Sequence, residues 1–355
     1  MSLILFGAYG VFGSWLSQEL AVSGIPFTIA GRDRQKAEAL AERLHANTRV
    51  QVADVNDLSS CSEALRDHHI AVHCAGPFSN QSAVLIEACW QAGCHYVDIA
   101  DDRKYLARVR GYGKISREKQ LSAVYGCSSL PGISGALALL LKQENPEIPE
   151  KIRLILFIGN HNKKGAGAIE AVFKISGRKI PTPQRTLIGL RKEARVELPA
   201  PFGRKSALIF ESADYDLLPE IIGTKSVVVG VSFEMGIANL VFALFSHSPF
   251  GLVQMLKIPV LKLGALFNRW GHEGGGVRVE FFYRNGSLRR ATLLASREGQ
   301  RMAIVPAFAA IQKILGGSAQ AGVFTAYDFL GAAPLLESLT AKGYSLILSG
   351  DKIRQ

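Results

Sequence analysis

Three glycines at three-residue spacing follow a short apolar segment at the start of the chain. Gly7, Gly10 and Gly13 come directly after Ser2–Phe6, and a helical pattern begins near Val11. In a nucleotide-binding turn the first glycine permits a tight bend, the second lets the backbone approach a pyrophosphate, and the third allows a helix to pack closely on a strand. The free N–H groups and the dipole of that helix would face the anion. The pattern indicates a dinucleotide site. The expected contacts are Gly7, Tyr9, Gly10, Val11, Phe12 and Gly13.

The spacing is G-x-x-G-x-x-G, whereas the standard dinucleotide fingerprint is G-x-G-x-x-G. Glycine-rich turns also occur for purely structural reasons, so a turn without a ligand is the alternative. The order of strand, glycine turn and helix favours the nucleotide site.

A second apolar strand, Phe27–Ala30, ends in Gly-Arg-Asp. Sites for NAD commonly hold a carboxylate about 20 residues past the glycine turn, where it binds the ribose 2′-hydroxyl. An arginine in that place suits a 2′-phosphate, which a carboxylate would repel. Arg32 is therefore the candidate contact to NADP(H), with Arg34 and Lys36 as auxiliary charges. Asp33 lies at the edge of this site and is expected to cap the next helix. The alternative is that these cations are solvated loop charges.

Strand and helix patterns alternate up to about residue 126. Strands are predicted over 48–53, 70–74, 95–99 and 123–126, and helices over 34–45, 57–66 and 81–92. Such units build a parallel sheet with helices on both faces, and ligands lie at the carboxyl ends of its strands. Asp54 would then reach the adenine. Ala75, Gly76 and Pro77 would line the nicotinamide side, the alternative being an ordinary strand-to-helix turn.

The pattern changes after a polar turn near residues 126–132. We predict an α/β chain with an N-terminal Rossmann domain, a doubly wound parallel sheet over 1–130, and a second α+β domain with a mixed or antiparallel sheet over 131–355. A hairpin is expected at Asn285-Gly286, a pair that suits a type I′ turn. Helices are predicted over 304–315 and from Thr325 toward Lys342. Whether these C-terminal helices pack back on the first domain is open.

Five motifs together resemble the saccharopine dehydrogenase-like (saccharopine reductase) family, which includes trans-acting enoyl reductases. They are GAYGVFG, AGRD, AGPF, EACWQAGCHYVDIADD and GCSSLPG, in that order, within about residues 1–140. The resemblance implies an NADP(H)-binding Rossmann domain followed by a mixed α/β substrate or dimerisation domain. It implies the phosphate turn at the three glycines, the 2′-phosphate contact at Arg32, and the ribose–nicotinamide wall at Ala75–Pro77.

The chain departs from the family at one turn. Members commonly have Gly-Glu after the strand that holds Tyr96–Asp98, and this chain has Asp101-Asp102. Asp102 can stand for the glutamate, but the missing glycine changes the turn. The chain is also shorter than typical saccharopine reductases, so saccharopine is not carried over as the substrate.

The composition is basic. Among 355 residues, 41 Lys and Arg oppose 30 Asp and Glu, giving a net charge of +11. Such a charge attracts anionic partners, but no nucleic-acid-binding motif is present, so we expect no nucleic-acid partner. The densest basic segment is Lys174–Lys205, which is either a solvated face or a surface for an anionic substrate or a membrane.

The five cysteines, Cys61, Cys74, Cys89, Cys94 and Cys127, are odd in number and form no C-x-x-C. They are expected to be free thiols in a reducing compartment. No zinc-ligand spacing is present, so no metal is predicted. Because the N-terminus begins on the first strand, we expect no signal peptide and a cytoplasmic location.

Residues 237–267 are unusually apolar, but no run reaches the ~20 residues that span a bilayer. The segment is expected to supply core helices or a homodimer interface. The alternative is an interfacial patch that admits a lipid-like substrate or touches a membrane.

These features predict an NADP(H)-dependent oxidoreductase that transfers hydride to a polarised C=N, C=C or C=O bond of a small molecule. The candidate proton donors or substrate contacts are His161, Ser128 and Asp102. Ser128 and Ser129 are equally suited to cap a helix, and a loop histidine is often only exposed. The Tyr-x-x-x-Lys pair of short-chain dehydrogenases is missing from residues 96–125. The alternative is a sensor or scaffold that binds NADP(H) with little catalysis.

Overall fold

The computed structural model describes residues 1–45, 48–163, 166–248, 255–256, 258–259 and 269–352. The chain forms two compact units. The first contains Met1–Ile133 and Ala303–Leu335, and the second contains Ser134–Met302 and Leu336–Gln355.

The first unit is built on one parallel sheet of seven strands. Its strands, numbered along the whole chain, are β1 (Leu3–Phe6), β2 (Thr28–Gly31), β3 (Arg49–Val52), β4 (Ile70–His73), β5 (His95–Asp98), β6 (Ser122–Tyr125) and β15 (Gly322–Thr325). Their order in the sheet is β15-β6-β5-β4-β1-β2-β3. Strands β1, β2, β4 and β6 are buried at every residue, as is typical of strands covered on both faces.

Helices connect these strands. They are α1 (Val11–Val22), α2 (Arg34–Leu44), α3 (Leu58–Leu65), α4 (Val84–Ala92), α5 (Arg103–Arg110), α6 (Gly113–Glu118), α11 (Val305–Leu315) and α12 (Ala326–Leu330). The chain proceeds outward from β1 to β3 and then returns to β4 on the other side of β1. This reversal leaves a crevice outside the carboxyl ends of β1 and β4, which is where doubly wound sheets bind ligands.

The first segment of the first unit ends at Ile133, close to the boundary predicted between residues 130 and 131, and Ala303–Leu335, where C-terminal helices were predicted, lies in the same unit. The strand predicted over 123–126 is not the edge of the sheet, because Gly322–Thr325 pairs with it in parallel, Gly322 opposite Ser122. The Ser122 hydroxyl also donates to the Gln320 carbonyl oxygen at 2.5 Å. The pairing of this strand with β6 joins segments about 200 residues apart, which no local pattern reveals, and the strand belongs to residues 303–335 of the first unit.

The second unit has a mixed sheet of seven strands, as predicted. The strands are β7 (Lys151–Ile158), β10 (Lys192–Leu198), β11 (Gly203–Ile209), β12 (Val227–Phe233), β13 (Gly275–Phe282), β14 (Ser287–Ala295) and β16 (Ser345–Lys352). Their order is β10-β11-β12-β7-β13-β14-β16. Only β12 and β7 run parallel; the other neighbours are antiparallel. A separate ribbon pairs β8 (Lys179–Pro181) with β9 (Thr186–Ile188).

The remaining helices are α7 (Ser134–Glu144), α8 (Ala166–Ile175), α9 (Asp214–Ile222), α10 (Gly236–Phe245) and α13 (Ala332–Ala341). The helix predicted from Thr325 toward Lys342 is two helices, because Gly331 takes a positive φ of 86° and ends the first of them. The Thr325 side chain caps α12 by accepting from the Asp328 N–H at 3.2 Å, which is the first contact of a capping box.

The predicted hairpin is confirmed, but its turn is not type I′. Gly286 has a φ of 74°, whereas Asn285 is not among the residues with positive φ, and type I′ requires positive φ at both. The Gly286 N–H donates to the Tyr283 carbonyl at 3.0 Å. The connection is therefore a three-residue loop that closes with the glycine in the left-handed region.

Candidate cofactor site

The glycine turn after β1 leaves no room for side chains. Gly7 has a φ of 76°, and a Cβ on it would lie 2.5 Å from the Cα of Ala75. A Cβ on Gly13 would lie 2.2 Å from the Gly7 carbonyl oxygen, and the Gly10 N–H donates to that same oxygen at 3.0 Å. The turn thus presses helix α1 against the strand, and it brings Gly7 against Ala75 across the crevice between β1 and β4.

The first turn of α1 is suited to an anion. Gly10 is its N-cap residue, with φ −68° and ψ 170°; among the described residues no side chain caps this end, and its first turn holds no acidic residue. The N–H groups at the start of a helix carry a partial positive charge that favours phosphate. Together with the close backbone packing of the glycine turn, this end of α1 fits a dinucleotide pyrophosphate.

Tyr9 connects the glycine turn to the end of β2. Its hydroxyl accepts a hydrogen bond from the Asp33 N–H at 3.1 Å. Its ring lies so close to Gly31 that a Cβ there would be 2.5 Å from the ring edge. The loop that holds Arg32 is therefore fixed against the phosphate turn.

The charges of this loop are compensated, except at Arg32. Asp33 caps α2 by accepting from the Lys36 N–H at 3.1 Å, as predicted, and its carboxylate lies 3.0 Å from the Lys36 ammonium. These hydrogen bonds lower the pKa of Asp33. Arg34 pairs with Glu38 at 3.5 Å. The Arg32 side chain is exposed, and no ion pair joins it to another residue in the described part of the chain. Arg32 is thus the cation available to a 2′-phosphate.

Asp54 shapes its own turn after β3. One carboxylate oxygen accepts from the backbone N–H of Asn56 at 3.0 Å and from its side-chain amide at 3.2 Å. The Asp54 N–H donates to the Ser60 hydroxyl at 3.0 Å. The residue lies at the carboxyl edge of the sheet, and its contact to adenine stays a prediction.

The segment Ala75–Pro77 is held by a buried lock that sequence reasoning missed. The Ala75 N–H donates to Nδ1 of His73 at 3.3 Å. Nδ1 therefore carries no proton, and Nε2 donates to Oε1 of Gln81 at 2.7 Å. The Gln81 amide in turn donates to the Ala75 carbonyl. Burial lowers the pKa of His73 to about 4, which keeps the ring neutral. The sequence offers one sign of this lock, which is a histidine in an otherwise apolar strand.

Asp98 links the ends of β5 and β6. It is fully buried, and Oδ1 accepts from the N–H groups of Ala100 at 3.0 Å and Gly126 at 2.8 Å. The Asp98 carbonyl also accepts from Cys127 at 2.9 Å. Burial raises the pKa of the Asp98 carboxyl to about 7. Asp98 therefore positions the loop that carries Ser128.

The three candidate donors are placed differently. Asp102 caps α5, and its Oδ1 accepts from the N–H groups of Lys104 at 3.1 Å and Tyr105 at 2.9 Å. Ser128 is half-buried in the loop after β6. His161 is an exposed residue of the second unit, where its N–H donates to the His272 carbonyl at 3.0 Å. Their roles with substrate stay predictions.

A carboxylate–imidazole pair in the second unit was also missed. Glu234 is buried, and its Oε2 accepts from the N–H groups of Asn160 at 2.7 Å and His272 at 2.8 Å. Its Oε1 lies 2.5 Å from Nδ1 of His272, whose side chain is half-exposed. Burial opposes ionisation of Glu234, but these hydrogen bonds lower its pKa overall. A carboxylate that orients an imidazole can hold or move a proton at that ring.

The five cysteines are free and buried, so the predicted free thiols are confirmed. Within the described residues, no group of three His, Cys, Asp or Glu side chains is arranged to hold a metal. In the same part of the chain, every helix is too short or too polar to cross a membrane.

Residues 3–124 match the family model of the saccharopine dehydrogenase NADP-binding domain. Saccharopine dehydrogenase-like oxidoreductases from Bos taurus and Homo sapiens are each 25% identical to this chain, over 157 and 121 residues. The bovine match covers 38% of this chain and 36% of the relative, and the human match covers 29% and 28%. The chain thus spans about a third of the length of these relatives.

A solved structure extends the likeness of fold to the whole chain. Apo histidine-tagged saccharopine dehydrogenase (L-Glu forming) from Saccharomyces cerevisiae matches with a TM-score of 0.69, over 99% of both chains, at 12% identity. The family model names NADP as the nucleotide, in agreement with the exposed arginine after β2. Residues 3–124 therefore match the NADP-binding domain of the saccharopine dehydrogenase family, and the chain as a whole has the fold of a saccharopine dehydrogenase.

Proposed function

We propose that this chain is an NADPH-dependent oxidoreductase that reduces a polarised C=N, C=C or C=O bond of a small-molecule substrate. The observation that carries the proposal is the glycine turn, where Gly7 lies against Ala75 at the crevice between β1 and β4. The pyrophosphate would lie at the start of α1, and Arg32 would bind the 2′-phosphate. The chemistry that NADPH supplies is hydride transfer from its nicotinamide ring.

The protein's own contribution is orientation. The lock of His73 and Gln81 fixes the Ala75–Pro77 wall, and Asp98 fixes the loop after β6. The first loop follows β4, which borders the crevice, and the second follows β6, two strands further along the sheet. Together they would hold the nicotinamide end of the cofactor in one place. A proton donor must complete the reduction of such a bond. His272, oriented by Glu234, is the second unit's candidate beside His161.

The first test is calorimetric titration with NADPH and NADH at one fixed salt concentration. We expect NADPH to bind much more tightly than NADH. Gly13→Ala should abolish binding, because its Cβ would lie 2.2 Å from the Gly7 carbonyl oxygen. Gly316→Ala is the matched control, because its Cβ would meet nothing closer than 3.4 Å. Binding of neither nucleotide by the folded protein would refute the proposal.

The second test follows NADPH fluorescence while imines, enoyl thioesters and aldehydes are added to the binary complex. Oxidation that requires one substrate class and is slowed in D₂O would support the reductase. Tight NADPH binding without oxidation across all three classes would favour the sensor or scaffold.

A further inference from the structure

Helix α10 presents an apolar face that the fold leaves exposed. Ile237, Leu240 and Leu244 follow one another at spacings of three and four residues, so they share one side of the helix. Their exposed fractions are 46%, 60% and 59%. Single exposed apolar residues are ordinary, but a row on one face indicates an interaction surface.

The opposite side anchors the helix to the second unit. Phe242 packs on Phe173 with ring centroids 5.6 Å apart and on Phe233 at 5.3 Å. The buried side chain of Asn239 accepts from the Phe233 N–H at 2.9 Å and donates to its carbonyl at 2.6 Å. The inner side of the helix therefore anchors it, and the outer face takes no part in these contacts. Of the residues 249–267, only 255–256 and 258–259 are described; Met255 and Ile258 are 70% and 64% exposed.

Cations surround the start of this helix. An open cavity of about 290 Å³ lies there. It is lined by Arg195, Arg204, Lys205, Ser206, Gly236 and Asn239. Arg204 pairs with Glu197 at 3.1 Å, whereas Arg195 and Lys205 have no ion-pair partner in the described part of the chain.

The fold thus joins two segments that are distant in sequence. The basic segment Lys174–Lys205 meets the start of α10 at this cavity, and it meets the other end where Gly177 lies beside the Ser246 carbonyl. An apolar helix face with cations near the start of its helix is a pattern of helices that lie on an anionic membrane.

We propose that the outer face of α10 docks on the surface of an anionic lipid bilayer. Ile237, Leu240 and Leu244 enter the interface, and Arg195 and Lys205 contact phosphate headgroups. A second copy of the chain fits this face less well, since a two-fold contact places the same patch on both sides and offers Arg195 and Lys205 no anionic surface. The inference is independent of the oxidoreductase proposal.

The test is co-sedimentation with vesicles of phosphatidylglycerol and phosphatidylcholine, and with vesicles of phosphatidylcholine alone. Wild type should bind the mixed vesicles and lose binding as salt rises. Leu240→Glu combined with Leu244→Glu should lower the partition coefficient at least about tenfold, because burial of two leucines is lost. Arg195→Ala and Lys205→Ala should each lower it about fivefold.

Val22→Glu is the matched control, because Val22 is an apolar residue of the first unit with 89% exposure. It should bind vesicles as wild type does, and all variants should keep the wild-type circular dichroism and NADPH affinity. No binding of wild type to the mixed vesicles overturns the proposal. A loss of vesicle binding in Val22→Glu as large as in the double variant also overturns the proposal. Sedimentation equilibrium decides the remaining outcome: a wild-type dimer that the double variant makes monomeric, without a change in vesicle binding, would assign the face to self-association.

Discussion

Arg32→Ala should remove the preference for NADPH over NADH. In the loop after β2, Asp33 is compensated by Lys36 at 3.0 Å and Arg34 by Glu38 at 3.5 Å. Arg32 therefore supplies the local charge that a 2′-phosphate would meet. One charge-assisted hydrogen bond at such a site contributes about 1.5–3 kcal/mol. The affinity for NADPH should fall about 10- to 150-fold, and the affinity for NADH, which has no 2′-phosphate, should stay within a factor of two or so.

Calorimetric titration of both nucleotides against wild type and variant measures this ratio. Arg34→Ala is the matched control, because it removes a neighbouring exposed arginine whose charge is already paired. It should lower NADPH affinity only a few-fold, and that loss should shrink as salt rises. An unchanged NADPH/NADH ratio in Arg32→Ala, with the same nucleotide affinities as wild type, would refute the assignment of the 2′-phosphate contact.

The remaining predictions concern the buried groups of the first unit. Gln81→Ala leaves the Nε2–H of buried His73 without its partner, so the free energy of unfolding should fall by about 1–3 kcal/mol in urea titrations, whereas the exposed Gln35→Ala should change little; equal losses in the two variants would contradict the lock. Burial raises the pKa of Asp98 from 3.8 in the unfolded chain to about 7, so the proton it holds stabilises the fold at low pH and that contribution is lost as pH rises from about 4 to about 7. Asp98→Asn should gain on wild type across that range by a few kcal/mol; a constant difference between the two proteins would contradict it. Burial raises the pKa of the Cys61 thiol to about 12, and all five cysteines are buried, so Ellman's reagent should react only as the protein unfolds. A thiol that reacts at once in the native protein would show that a cysteine is accessible.

The first sheet was predictable because most of its early strands are apolar runs that end in turn residues. Leu3–Phe6 and Ile70–His73 are buried throughout, so their sequences follow the continuous pattern of strands covered on both faces. Gly322–Thr325 is equally short but follows a long insertion. Its position depends on pairing with β6, which no local pattern encodes.

The cofactor turn was predictable in type but not in its supports. The spacing of the glycines indicates a backbone that must pack closely against its neighbours. Gly7 and Gly13 meet that expectation. The lock between His73 and Gln81 depends on two residues eight positions apart that meet only when β4 and the following turn fold. The pair of Glu234 and His272 is separated by 38 positions. Contacts of this kind are set by tertiary structure, so sequence patterns indicate the site's location better than its polar network.

The arrangement of these supports has a consequence for binding. Gly7 is fixed against Ala75, Ala75 against His73 and Gln81, and the Asp98 carboxylate holds the loop at Gly126. Each contact is made between groups of the protein itself, so none of them needs the nucleotide. Ordering a loop on binding lowers affinity, and these contacts reduce that cost. A variant that loosens one support should therefore weaken both NADPH and NADH by the same factor, whereas loss of Arg32 should weaken NADPH alone.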